Sequence, residues 1–233
     1  MKTPSRQIEA LRDRIRHHEE LYYVRNAPEI SDGEFDALMR ELVELEVAYP
    51  EMVTSDSPTQ RVSGRPVESF KTVDHVEAML SLDNAYTDDE MRAFDERVRK
   101  ALGGPNSVAY VVELKIDGLS IALTYESGRL TRGVTRGDGV RGDEVTLNAR
   151  VIRSIPLRLL KAPRDRIDVR GEIYLPRVVF ERVNYERVEA GEVEFANPRN
   201  AAAGTMRNLD PALVARRGLR AWVYEVVGRT SAG

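Results

Sequence analysis

Glu113-Leu114-Lys115-Ile116-Asp117-Gly118 sets one amine between two carboxylates at alternating positions. Along a β-strand successive side chains point to opposite faces, so Glu113, Lys115 and Asp117 share one face and Val112, Leu114 and Ile116 the other. Two chemistries suit that pattern. One is a salt-bridge ladder on a half-exposed strand, which contributes little. The other is a lysine nucleophile at a strand end, with Gly118 letting a ligand approach the backbone. Lysine is scarce: the 35 basic residues include only Lys2, Lys71, Lys100, Lys115 and Lys161. Keeping one inside an apolar segment points to a need for an amine. Flanking carboxylates favour the ammonium, so nucleophilic use calls for a nearby cation or desolvation.

Three other segments add polar groups in patterned surroundings. Asp168-Val169-Arg170-Gly171-Glu172-Ile173-Tyr174 repeats the carboxylate on an apolar strand. The small-residue run from Asn197 to Gly204 presents Arg199 from an Asn-Pro turn. Ser81-Leu82-Asp83-Asn84 sits just upstream of a helix start. The glycine-rich loop from Gly137 to Asp143 lacks the Gly-Lys-Ser/Thr of a P-loop, and no G-x-G-x-x-G follows a strand. His17, His18 and His75 form no ligand spacing, so no metal site is expected from them.

The elements that must hold these residues fall into two expected units, 1–70 and 71–233. In the first, Thr3-Pro4 opens a helix carrying Ile8, Leu11, Ile15 and Tyr22 to about Val24. Ser31-Asp32-Gly33-Glu34 is a capping box for a second helix with Phe35, Leu38, Leu42 and Leu45 on one stripe, stopping before Pro50. Residues 51–80 read as a connector rich in turn residues. Thr87 to Glu90 caps a third helix with Met91, Phe94, Val98 and Leu102 on one face. Strands are expected at 108–114, 119–125, 130–136, 167–175 and 219–227. Helices are expected from the glycine loop through Ile152 and over 176–188. The fold class is α+β, a helical hairpin followed by a mainly antiparallel sheet.

The chain has 233 residues, 42% hydrophobic and 31% charged, with a formal net charge of -3. That composition excludes a disordered chain. The absence of cysteine excludes a disulfide scaffold, a thiolate zinc site and a cysteine nucleophile. No run approaches ~20 apolar residues, and the N-terminus lacks an apolar signal core, so a cytoplasmic protein with no membrane partner is expected. Charge is uneven: residues 1–70 carry nine basic and 14 acidic side chains, whereas 129–170 carry 11 and five. A basic stretch of that kind is a phosphate-facing surface or a solvated face.

Taken together, Ser81 to Asn84, Glu113 to Gly118, Thr135-Arg136-Gly137-Asp138-Gly139 and Asn197 to Gly204 resemble the N-terminal part of bacterial NAD-dependent DNA ligases. The resemblance runs through the whole chain. It implies an ATP-grasp-like nucleotidyltransferase domain over 71–233, C-terminally truncated, behind an NMN-binding domain over 1–70. The implied catalytic residues are Lys115, which would attack the α-phosphorus of NAD and release nicotinamide mononucleotide, and Asp117. Glu113 would bind the adenine amino group, with Ser81 and Leu82 beside the base and Tyr224 stacked on it. Asp117, Arg136 and Glu172 would surround the ribose and phosphates, and Arg199 and Arg207 would face DNA or phosphates. Tyr22, Asp32 and Asp36 would hold the nicotinamide mononucleotide half.

The resemblance further implies Mg²⁺, nicked double-stranded DNA as partner of the whole protein, and a monomer. This chain departs from many members at Tyr23, where they have histidine, and at Phe35, where they have tyrosine. The family continues past Gly233 with two lysine-bearing motifs and further domains, so the chain reads as a fragment. An ATP-dependent ligase or capping-type nucleotidyltransferase shares the lysine motif, with residues 1–70 as the discriminating feature. A non-catalytic DNA-binding module using 129–170 is the alternative of another class.

Overall fold

The computed structural model describes residues 3–25, 27–61, 68–104, 108–160 and 165–227, without the side chains of Val24 and Asp32. Residues 62–67 of the expected connector lie outside these residues. Helix α1 (Pro4–Glu19) runs straight into a π-helical turn, Glu20–Val24. Helix α2 (Asp32–Ala48) packs antiparallel to it around buried Ile8, Leu11, Ile15, Leu38 and Leu42. The Ser31–Glu34 capping box forms as expected: Ser31 N–H donates to the Glu34 carboxylate at 2.9 Å, and Glu34 N–H to Ser31 Oγ at 3.3 Å. It satisfies donors that the first helical turn leaves open.

The connector is not loose where the sequence suggested it. Asp56, Ser57, Pro58 and Arg61 are buried. Glu46 accepts from Arg12, Ser57 and Thr59, tying residues 57–59 onto the helix pair. Arg61 pairs with buried Glu19 through two hydrogen bonds of 3.1 and 3.0 Å. Its other arm donates to the carbonyls of Arg150, Ile152 and Ile155 in the second unit. Asp56 faces Arg16 of its own unit and Arg129 of the other, each at 3.4 Å. Turn-forming composition marked this segment as irregular, and irregular it is. Its charges are spent on joining the units.

The second unit is α+β. Strands β2 (Leu119–Glu126), β3 (Arg129–Thr135), β5 (Ile167–Tyr174) and β6 (Arg220–Val227) form an antiparallel sheet in the order β3-β2-β5-β6. A small second sheet pairs β1 (Thr72–Asp74) with β4 (Arg141–Asp143). Ile121, Leu123, Tyr125, Val169 and Ile173 point into one core with Ala201, Ala202 and Met206 of α6 (Pro198–Met206) and Val214 of α7 (Pro211–Arg216). Helix α4 is only Thr146–Arg150, shorter than the helix expected through Ile152, and α5 spans Arg177–Glu189. No helix among the described residues is long and apolar enough to cross a membrane.

One expected strand is absent. Residues 108–117 are extended coil with no ladder, and Val111, Val112 and Leu114 are 85%, 94% and 87% exposed. β-branched residues favour a strand only where a partner strand and a packing face exist. Among the described residues this segment has no partner strand, and its Val111, Val112 and Leu114 have no packing face. Helix α3 (Asp88–Ala101) forms with its Thr87–Glu90 box, but its stripe stays largely open, Phe94 meeting Tyr110 at a ring separation of 6.0 Å.

Candidate functional site

The β2–β5–β6 ladder sets Ser120 opposite Glu172, and Glu172 opposite Trp222. These lie on the face away from the core, because their neighbours Ile121 and Ile173 point inward. The register between β5 and β6 shifts at Arg170/Gly171, leaving Tyr224 as the extra residue of a bulge. A bulge re-aims a side chain, and Tyr224 reaches the Ser120 hydroxyl on the Glu172 face. Burial and the Glu172 charge push its phenol up.

Ser120 donates to Glu172 at 2.8 Å. Burial drives the Glu172 carboxyl above its ordinary value, and the Ser120 bond with the positive charges of Lys115 and Arg199 offsets only part of this. Asp117 adds negative charge beside it and stands 3.8 Å from Arg199 at the start of α6. The cap of α6, Asn197 accepting from Asn200 N–H at 2.8 Å, holds Arg199 there. Thus Lys115, Asp117, Glu172, Ser120, Tyr224 and Arg199 converge. Gly118 has a different role from the expected one: a Cβ would overlap the Ile173 carbonyl of β5, so it is the neighbouring strand that approaches its backbone.

Arg136 lies at the end of β3, its N–H donating to the Ser120 carbonyl at 3.0 Å. Its guanidinium Nε is buried without a hydrogen-bond partner, a donor suited to an anion. Gly139, at φ +94°, lets the loop meet Met79, whose N–H donates to the Gly139 carbonyl at 2.8 Å. Arg170 grips the Glu77 and Ala78 carbonyls at 2.9 and 3.1 Å. Together these bonds lay residues 77–79 along the sheet, and exposed Ser81 and Leu82 follow in the same coil. Glu113 is exposed in the 108–117 coil. Arg207 is not brought to this cluster by α6. It sits at the helix's other end, about 12 Å from Arg199 by helical rise.

The hairpin carries a cleft of about 310 Å³ lined by Tyr22, Phe35, Asp36, His18, Tyr23 and Arg153. That volume is at the lower end of the range for small-ligand sites. Tyr22 and Tyr23 lie 4.7 Å apart, ring to ring. The side chain of Asp32 lies outside the described residues; its backbone begins α2. Arg153 comes from the second unit, donating to the Tyr23 hydroxyl at 2.9 Å with its guanidinium 5.3 Å from that ring's centroid. Sequence reading missed Arg153, because no spacing links it to a residue 130 positions away. A second cavity, about 270 Å³ between the units, is lined by Arg16, Asp56, Arg61 and Leu157 among others and by none of the expected site residues.

Mg²⁺ is held by one or two carboxylates together with water and substrate phosphates. Asp117, 68% exposed beside the cluster, fits that demand with a phosphate as co-ligand. The expectation that the histidines have no metal-ligand arrangement took account of histidines alone. The fold brings Glu29 to His17 and His18.

Residues 67–232 match the family described as NAD-dependent DNA ligase adenylation domain, and residues 1–63 the DNA ligase-like, N-terminal NAD+-binding domain. Among similar curated proteins, the DNA ligase of Thermotoga maritima is 57% identical over 221 residues, 95% of this chain and 32% of that protein. The DNA ligase of Heliobacterium modesticaldum is 52% identical, covering 96% and 33%, and that of Solibacter usitatus 54%, covering 96% and 34%. The chain therefore spans about a third of the length of these relatives.

Proposed function

The chain belongs to the NAD-dependent DNA ligase family, and we propose that it carries the two halves of a self-adenylating NAD site. The hairpin cleft takes the nicotinamide mononucleotide half, and the Glu172 face, an ATP-grasp-like nucleotidyltransferase site, takes the AMP half. NAD is here a substrate to be cleaved. The Lys115 amine, having shed a proton to water or to Asp117, bonds to the α-phosphorus. The bond from that phosphorus to the bridging oxygen breaks, and nicotinamide mononucleotide leaves with that oxygen and its electron pair. The AMP on Lys115 then serves to activate the 5′-phosphate of nicked double-stranded DNA in the whole, monomeric, cytoplasmic protein.

In this reading Glu113 accepts from the adenine amino group, Ser81 and Leu82 flank the base, and Tyr224 supplies the stacking ring. Asp117 and Glu172 face the ribose. Arg136 turns its unpartnered Nε to the phosphates, and Arg199 and Arg207 face phosphate or DNA. Mg²⁺, when bound, supplies positive charge for the phosphate oxygens. Tyr22, Asp32 and Asp36 meet the cationic nicotinamide and its ribose, and Arg153 meets the nucleotide's phosphate.

The observation that carries the reading is the convergence of Lys115, Arg199, Asp117 and Ser120 on one buried carboxylate, Glu172. The matched NAD+-binding description over residues 1–63 favours NAD over ATP as the donor. A purely DNA-binding role is disfavoured because arginines of the basic stretch are already paired: Arg129 with Asp56, Arg158 with Glu9, Arg166 with Asp168 and Arg170 with Glu225. Calorimetry with nicotinamide mononucleotide tests the cleft. Binding should weaken about tenfold or more in Asp36→Ala, the loss of one charge-assisted contact. Equal binding by both proteins would refute the cleft assignment.

A further inference from the structure

His17 and His18 close α1 just before the π-helical turn, and Glu29 returns over them from the loop that leads into α2. One donor atom from each lies within 4.8 Å of the others. The two imidazoles meet edge to face at 5.2 Å, and His17 Nε2 is 3.5 Å from a Glu29 carboxylate oxygen. His18 Nδ1 is buried and has no hydrogen-bond partner. The other carboxylate near His18, Glu34, is committed to capping Ser31.

We propose that His17, His18 and Glu29 form a binding site for a divalent transition-metal ion of the zinc type. Two imidazole nitrogens and one carboxylate oxygen suit such an ion, whereas Mg²⁺ and Ca²⁺ call for all-oxygen sets. His17 and Glu29 are 56% and 61% exposed, so both are free to swing inward to bonding distances of about 2.0–2.2 Å. The ion gives the orphaned His18 nitrogen a partner, and water completes the shell. His18 also lines the Tyr22–Asp36 cleft. A metal there staples the 27–31 loop to α1 and stiffens one wall of the cleft. The proposal does not depend on the ligase reading.

Zinc titration by calorimetry, with a competing chelator, tests it on the whole chain. One Zn²⁺ per chain is expected, with affinity reduced at least about tenfold in His17→Ala and in Glu29→Gln. Zinc should raise the thermal midpoint of the unaltered chain and not that of His17→Ala. His75→Ala should bind zinc like the unaltered chain. No saturable binding, unchanged affinity in His17→Ala and Glu29→Gln, or loss of binding in His75→Ala instead would each overturn the proposal.

Discussion

Ser120 and Glu172 face each other across the β2–β5 ladder, the serine hydroxyl donating to the carboxylate at 2.8 Å. This bond does not undo the effect of burial, and the Glu172 carboxyl stays above its ordinary value of 4.5. A carboxyl raised by folding contributes stability that is complete below the unfolded value and is lost as pH rises through the folded one. Glu172→Gln keeps an acceptor for Ser120 and removes the charge. Its thermal midpoint should exceed that of the unaltered chain at pH 8, and the gap should close at pH 3.5. A gap of the same size at both pH values would contradict this account of Glu172.

The interface between the units should respond to acid in the opposite sense. Burial raises the Asp56 carboxyl, but the Thr54 hydroxyl, Arg129 and Arg16 outweigh it and hold the group below 3.8. Glu46, which ties the segment carrying Asp56 and Arg61 onto the helix pair, is likewise held below 4.5 against burial by Thr59, Ser57 and Arg12. Such groups stabilise the fold above the unfolded values, and that stability is lost as pH falls through the folded ones. The units should therefore part below about pH 4, followed as a rise in scattering radius. Asp56→Asn should weaken the dependence.

Arg61 is the strut between units. Arg61→Ala leaves Glu19 buried without its partner and takes this donor from the Arg150 and Ile155 carbonyls, a loss of about 3–5 kcal/mol. Calorimetric unfolding should pass from one transition to two. A single transition at an unchanged midpoint would show that the ion pairs do not couple the units.

Local chemistry made much of this legible in advance. Both capping boxes and the α1–α2 apolar stripes follow from side chains a few positions apart, where sequence order and spatial order coincide. The strand expected at 108–114 does not form because a strand is a property of a pair, and Val111 to Leu114 have no partner strand among the described residues. Arg61, Arg153 and Glu29 were missed for a related reason. Each acts on residues distant in sequence or across a loop, so no periodicity announces it. Tyr224 was singled out by resemblance, but the bulge that turns it to Ser120 is a register irregularity that its own residues do not encode.

Arg153 should matter to the nucleotide although it lies outside the hairpin. Arg153→Ala removes the cation beside Tyr23, and nicotinamide mononucleotide should bind about tenfold more weakly. Lys115→Ala should leave that affinity unchanged, because Lys115 belongs to the other half of the site. Equal affinities for Arg153→Ala and the unaltered chain would remove Arg153 from the cleft.

If Lys115 is the group that takes AMP from NAD, intact-mass spectrometry reads the transfer directly. Lys115 sits exposed in unpaired coil beside Asp117, with Arg136 and Arg199 as the nearby cations of the proposed site. An amine carried on exposed coil, with no strand partner among the described residues, is poorly held in line for attack. After prolonged incubation with NAD and Mg²⁺, the chain should therefore gain one AMP in only a minor fraction of molecules. Peptide mapping should locate it on Lys115, and Lys115→Ala should show none. An AMP adduct on another residue, an adduct of equal extent in Lys115→Ala, or no adduct at any incubation time would contradict the assignment.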